Sequence, residues 1–165
     1  MTEPTHVILG IGSNLGKRRR QIRSALKQLA ATAGIKNVFL SPLYESHAVT
    51  EAGIDESPPK YLNGVIRLNT TLKPKELLAL VRKIEDDHGR VRLVRWGSRT
   101  LDIDIIVFGS EIKSGKELTI PHPRAYNRAF VLVPWADIEP DAVLPGYGSV
   151  KELAEPLRNE LWLAK

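Results

Sequence analysis

Residues 101–108, Leu-Asp-Ile-Asp-Ile-Ile-Val-Phe, set two carboxylates at the mouth of an otherwise apolar run. No other stretch limits the fold as strongly. The run is short and rich in β-branched residues, so it reads as a strand. Side chains alternate along a strand, giving Asp102, Asp104, Ile106 and Phe108 one face and Ile103, Ile105 and Val107 the other. Two neighbouring carboxylates repel, and one resists ionising unless positive charge compensates. The chain offers two kinds of compensation: the upstream arginines (Arg90, Arg92, Arg95 and Arg99) and a divalent cation.

The elements around this strand follow from periodicity. HVILGIG at 6–12 reads as a buried strand. Ile22, Ala25, Leu26, Leu29, Ala30 and Ala33 recur at helical spacing, with Gly34 closing the helix. NVFLSPLYES at 37–46 is a second strand, at an edge or bulged because it contains Pro42. Residues 47–60 lack periodicity and form a long loop, of the kind that tends to carry function. A third strand spans 61–70. Pro74 opens a second helix that turns Leu77, Leu78, Val81 and Ile84 inward, with Glu85 at the edge of that face, and Gly89 ends it. A hairpin-like Gly/Ser/Lys stretch follows the aspartate strand, and SVKELAEPL at 149–157 is helical. The order β-α-β-β-α-β with a C-terminal extension predicts an α+β, ferredoxin-like fold.

The 165 residues fit one domain, spanning 1–165. Cysteine is absent, which removes disulfides, thiolate nucleophiles and cysteine zinc sites and accords with a reducing cytoplasm. The early apolar run at 7–11 is too short for a signal peptide or a membrane span. A net charge of +5 favours anionic partners. One basic cluster, Lys17 to Arg20 with Arg23, has no assignable role; the other leads into the aspartates.

Three motifs are decoys. GIGSNLGK at 10–17 has five residues between Gly10 and Gly16 and Arg18 after Lys17, so it is not a P-loop and reads as a tight strand-to-helix turn. Only three residues separate Ser98 from Asp102, a spacing that argues against a polymerase-beta-type nucleotidyltransferase, which stays as an alternative. The four histidines, at 6, 47, 88 and 122, have no metal-ligand grouping. A nucleic-acid-binding protein remains as an alternative carried by charge alone.

Two carboxylates without soft ligands suit Mg²⁺, which completes its octahedron with phosphate oxygens and water. Adjacent arginines neutralise phosphate bidentately. Together these groups fit phosphoryl-transfer chemistry, although the aspartates could instead pair with Arg95 and Arg99.

The segments IGSNLG (11–16), YLNGV (61–65), GRVR (89–92), RWGSRTLDIDII (95–106) and PHPRAYNRAFVL (121–132) resemble the motifs of the 6-hydroxymethyl-7,8-dihydropterin pyrophosphokinase family, in order over about residues 6–145. The resemblance implies a three-layer α-β-α sandwich of ferredoxin-like type. It also implies transfer of a pyrophosphoryl group from ATP to the pterin's hydroxymethyl group in folate biosynthesis, with two Mg²⁺ ions held by Asp102 and Asp104 and with Arg90 and Arg99 as further catalytic residues. On the same basis Ser46, Val49, Tyr61, Asn63, Trp96 and Phe130 would hold the pterin, Tyr61 and Phe130 sandwiching its ring. Glu85, Arg92, Ile105, Thr119, His122 and Arg128 would surround the nucleotide. The implied partners are these two small molecules, without nucleic acid or membrane, for a monomer in the cytoplasm. SHAVT at 46–50, Glu117 and Pro123 depart from the family pattern.

Overall fold

The computed structural model describes residues 3–50, 52–89 and 101–164. Arg90, Arg92, Arg95, Trp96, Ser98 and Arg99 lie outside them. Strand β1 (Thr5–Ser13) occupies the centre of an antiparallel sheet, between β6 (Tyr61–Thr70) and β7 (Asp102–Phe108). Beyond β6 lie β2 (Ile35–Leu40) and β3 (Tyr44–Ser46). Helix α1 (Arg18–Ala30) carries the chain from β1 past β6 to β2, and α2 (Pro74–Asp87) carries it from β6 past β1 to β7. This is the expected ferredoxin-like connectivity.

The predicted strand at 37–46 is split. Its two halves flank Pro42, which has no N–H to give to β6. Ser41 bridges the break: its N–H donates to the Val65 carbonyl at 2.9 Å and its Oγ accepts the Val65 N–H at 2.8 Å. The predicted loop at 47–60 contains a small hairpin, β4 (Ala48–Thr50) with β5 (Gly53–Asp55). Helix α1 ends at Ala30, short of Gly34, so Ala30 and Ala33 are exposed rather than part of the buried stripe. Gly34 adopts φ +87° in the turn that follows. Helix α2 runs as expected, with Gly89 at φ +77° beyond its end.

Odd-numbered residues of β1 (Val7, Leu9, Ile11) pack with Ile22, Leu29, Leu77, Val81 and Ile84 of α1 and α2. Ile8, Val65 and Ile106 face the other way, against α3 (Ala129–Ile138). Helix α3 is buried nearly all round and holds Pro134, so it shows neither an amphipathic stripe nor an uninterrupted helical pattern. The short strands β8 (Val143–Leu144) and β9 (Gly148–Ser149) lead into α4 (Val150–Ala154), a 3₁₀ turn at Glu155–Glu160, and β10 (Leu161–Leu163). β10 then pairs with β3. The result is the expected α-β-α sandwich with a C-terminal extension.

One predicted face is corrected. The β1–β7 register shifts between Ile8 and Leu9, leaving Ile106 as a bulge. Phe108 therefore pairs with Val7 and joins the α1/α2 core instead of sharing the aspartate face.

Candidate functional site

The register builds the floor of a cavity. Asn63, Gly12 and Asp102 lie side by side on β6, β1 and β7, and Gly10 lies opposite Asp104. Gly10 and Gly12 lie in the strand, as the 6–12 reading expects, and the turn read at 10–17 begins only after Ser13. A Cβ added at Gly12 would stand 3.0 Å from Asn63 Oδ1 and 3.6 Å from the Tyr61 ring. The missing side chain keeps the floor low between the carboxylate and the amide.

This floor opens into a cavity of about 370 Å³. Ser46, Val49, Tyr61 and Phe130, the last in the first turn of α3, line it. Asn63 is 4% exposed and donates through Nδ2 to Ser46 Oγ at 2.8 Å. A buried amide needs partners, and this bond fixes its plane.

Part of the cavity is charged. Arg128 Nη1 lies 3.7 Å from Asp104 Oδ2, and its guanidinium sits 5.4 Å from the Phe130 ring centroid. Burial lowers the Arg128 pKa, Asp104 opposes that shift, and the group remains a cation because guanidinium ordinarily titrates far above neutrality. His122 Nδ1 accepts the backbone N–H of Arg124 at 3.1 Å, which places the proton of the neutral ring on Nε2.

Burial first, then the charges of Arg128 and Arg124, push the His122 pKa down to about 4 against the pull of Asp102. Between that value and the ordinary 6.5 the unfolded chain binds a proton that the folded chain refuses. This contribution to stability is complete above pH 6.5 and is lost as the pH falls toward 4, by up to about 3 kcal/mol. Thermal midpoints of wild type and His122→Asn across pH 4–7 check it. The variant should lose less stability on acidification, and parallel curves would refute the assignment.

A second cavity, about 320 Å³, lies on the other side of β7, between α2 and residues 115–123. Glu85, 2% exposed, accepts the Ile103 N–H at 2.9 Å. β7 is the edge strand on this side, and the two-residue period directs the Ile105 backbone to the same edge as Ile103. Lys113 and Ile120 pair through two 2.8 Å bonds and carry Thr119 into the wall. Asp104, His122 and Pro123 line both cavities, so the two meet at Asp104.

The residues singled out in the sequence thus fall into two groups. Ser46, Val49, Tyr61, Asn63, Phe130, Asp102 and Arg128 line the first cavity, and Glu85, Ile105 and Thr119 the second; Asp104 and His122 are shared. Arg90, Arg92, Trp96 and Arg99 belong to the segment outside the described residues. The sequence reading missed His47 and Arg124 in the first cavity and Arg82 in the second. Arg124 precedes Arg128 by four residues and Arg82 precedes Glu85 by three, spacings that could have pointed to both. No sequence signal marks His47.

A model of the family 7,8-dihydro-6-hydroxymethylpterin-pyrophosphokinase (HPPK) matches residues 8–140, the span that supplies both cavities. The chain belongs to the HPPK family. Its relatives include the 2-amino-4-hydroxy-6-hydroxymethyldihydropteridine pyrophosphokinases of Haemophilus influenzae, 40% identical over 147 residues and 89% of each chain, and of Pseudomonas aeruginosa, 42% identical over 147 residues, 89% of this chain and 88% of that one. A crystal structure of an HPPK-DHPS in complex with substrates superposes with a TM-score of 0.71 at 13% identity. A Plasmodium falciparum HPPK-DHPS does so with a TM-score of 0.69 at 12% identity. Each likeness covers 96% of this chain, which spans less than half of those chains, 44% and 45%. At such identities they show that this HPPK member has the family's fold.

Proposed function

We propose that the first cavity takes the pterin, the second takes the nucleotide, and Asp102 and Asp104 act where the two ligands meet. The enzyme transfers a pyrophosphoryl group from ATP to the hydroxymethyl group of 6-hydroxymethyl-7,8-dihydropterin, a step of folate biosynthesis. The alcohol oxygen bonds to the β-phosphorus and the bridge to the α-phosphate breaks. AMP keeps the bridging oxygen, and the hydroxyl proton passes to solvent.

Asp104 at the junction of a cavity lined by aromatic rings and an edge-strand cavity, with Asp102 beside it in the first, carries this reading. On the pterin side, Tyr61 and Phe130 offer aromatic faces and Asn63 a polar reader, while Asp102 faces the alcohol. On the nucleotide side, Glu85 holds the β7 edge, Ile105 offers backbone groups to the base, and neutral His122 presents Nε2–H toward phosphate. Arg128 opposes negative charge that builds beside Asp104. Arg90, Arg92, Trp96 and Arg99 complete the set as the family resemblance implies.

The donor set fits Mg²⁺. Two half-buried carboxylates offer oxygen ligands only, and among the described residues no group of three or more His, Asp or Glu side chains is gathered. Asp102 and Asp104 would hold the ion, with phosphate and water supplying its other oxygen donors. Bound Mg²⁺, two ions in this reading, supplies charge neutralisation of the phosphates. The same reading has the 165 residues act as one domain, a monomer in the cytoplasm. Among the described residues no helix is long and apolar enough to cross a membrane.

The product nucleotide tests the function. With Mg²⁺, ATP and the hydroxymethyl pterin, AMP and pterin diphosphate should appear in equal amounts. Release of ADP, or of pyrophosphate with a nucleotidylated pterin, would overturn it.

A further inference from the structure

Helix α1 opens against its own electrostatics. Arg18, Arg19 and Arg20 are its first three residues, Lys17 is its N-cap, and neither an acidic residue nor a side-chain cap serves its first turn. Cations there oppose the helix dipole. A local rule broken in this way points to a use elsewhere in the structure.

Arg18 has such a use. Its Nη1 donates to the Lys60 carbonyl at 3.0 Å and to Glu45 Oε2 at 3.4 Å. Glu45 and Lys60 each immediately precede a residue of the first cavity, Ser46 and Tyr61, and those two are cross-strand partners. Arg18 therefore ties together, from outside the cavity, the two strand ends that form its wall. Asn14 adds a bond from Nδ2 to the Pro59 carbonyl at 3.2 Å.

The C-terminal strand grips the same segments from the sheet edge. Leu161 pairs with Ser46 and Trp162 with Glu45. The Trp162 ring meets His47 edge-on, with centroids 5.4 Å apart, and Lys60 Nζ lies 4.9 Å from the Trp162 centroid. His47 lines the cavity, and its buried Nδ1 has no hydrogen-bond partner among the described residues. Its other ring nitrogen is 3.9 Å from Glu56, so packing against Trp162 sets the ring's orientation.

We propose that Arg18 and Trp162 are positioning residues for the pterin, bracing the Glu45–His47 and Lys60–Tyr61 segments from behind so that the cavity wall is set before the ring arrives. This rests on the assignment of the first cavity to the pterin. Neither residue lines either cavity, so each acts through the wall. Without the brace, part of the binding free energy goes into ordering the wall. The nucleotide cavity, across β7, shares no residue with the brace and serves as the internal control.

Titration calorimetry with 6-hydroxymethyl-7,8-dihydropterin and, separately, a non-hydrolysable ATP analogue tests this on wild type, Arg18→Ala, Arg18→Lys, Trp162→Leu and Trp162→Phe. Trp162→Leu keeps apolar bulk at the strand and removes the ring contacts. Arg18→Ala and Trp162→Leu should each weaken pterin affinity by about three- to tenfold, the loss of one hydrogen-bonded or ring contact. Nucleotide affinity should stay within about twofold. The KM for pterin should rise while kcat at saturation holds, and Trp162→Phe and Arg18→Lys should recover part of the affinity. Unchanged pterin affinity in Arg18→Ala and Trp162→Leu overturns the brace, as do parallel losses of pterin affinity, nucleotide affinity and thermal midpoint. Failure of wild type itself to bind the pterin would instead remove the cavity assignment, and the brace with it.

Discussion

Asp102→Asn and Asp104→Asn are each expected to lower AMP formation by about a thousandfold or more while leaving the protein folded. Asparagine keeps the shape of aspartate and removes the charge that would hold Mg²⁺ against phosphate. Metal-mediated neutralisation supplies several kcal/mol of transition-state stabilisation, and each 1.36 kcal/mol is a tenfold change in rate. The cost to folding is small because two effects oppose. The Asp104–Arg128 contact at 3.7 Å is lost, a partly exposed pair worth no more than about 1 kcal/mol. Repulsion between the two carboxylates is relieved at the same time. Were the aspartates merely structural partners for arginine, the pattern would invert: the thermal midpoint would drop and the folded variants would stay active. Near-normal AMP formation by either variant would remove that residue from the metal site.

The aspartate pair was legible in the sequence because strand alternation is a short-range rule, and only one residue separates Asp102 from Asp104. The same rule failed past Ile106, at Val107 and Phe108. Ile105, Ile106 and Val107 suit either face of a buried strand, so nothing in Ile-Ile-Val announces the bulge that turns Phe108 to the other core. Helices α1 and α2 were legible by their apolar stripes; α3, buried almost all round, has no stripe to read. Pro42 announced the break between β2 and β3 because its missing N–H acts wherever it stands in a sheet.

The cavity floor is a different case. Asn63, Gly12 and Asp102 become neighbours only through pairing registers linking residues 51 and 90 positions apart, which side-chain periodicity does not encode. The family resemblance named Asn63 and Asp102 without saying why they meet. It includes Gly12 in IGSNLG without giving it a role, and periodicity puts Gly10 and Gly12 in the 6–12 strand without showing what they face. The basic run at 17–20 looked idle for the same reason, since the partners of Arg18 lie 27 and 42 positions away.

The second large effect is expected at that floor. Asn63→Ala should weaken binding of 6-hydroxymethyl-7,8-dihydropterin by about a hundredfold and leave binding of an ATP analogue within about twofold. A side-chain amide offers two donors and an acceptor, and Asn63 spends one donor on Ser46. Its second donor and its Oδ1 remain for the polar edge of a flat ring lying between Tyr61 and Phe130. Truncation removes both, and it also strips the buried Ser46 hydroxyl of its partner. Two such bonds in a desolvated site are worth about 2–3 kcal/mol, close to a hundredfold in affinity. Gly12→Ala approaches the same amide from β1, because the new Cβ would sit 3.0 Å from Oδ1 and push it out of line. It should lower pterin affinity in the same direction by a smaller factor. Asn63 does not line the second cavity, so nucleotide binding has no reason to follow. If Asn63→Ala binds the pterin as wild type does, the ring does not rest on this floor, and the first cavity loses its assigned substrate.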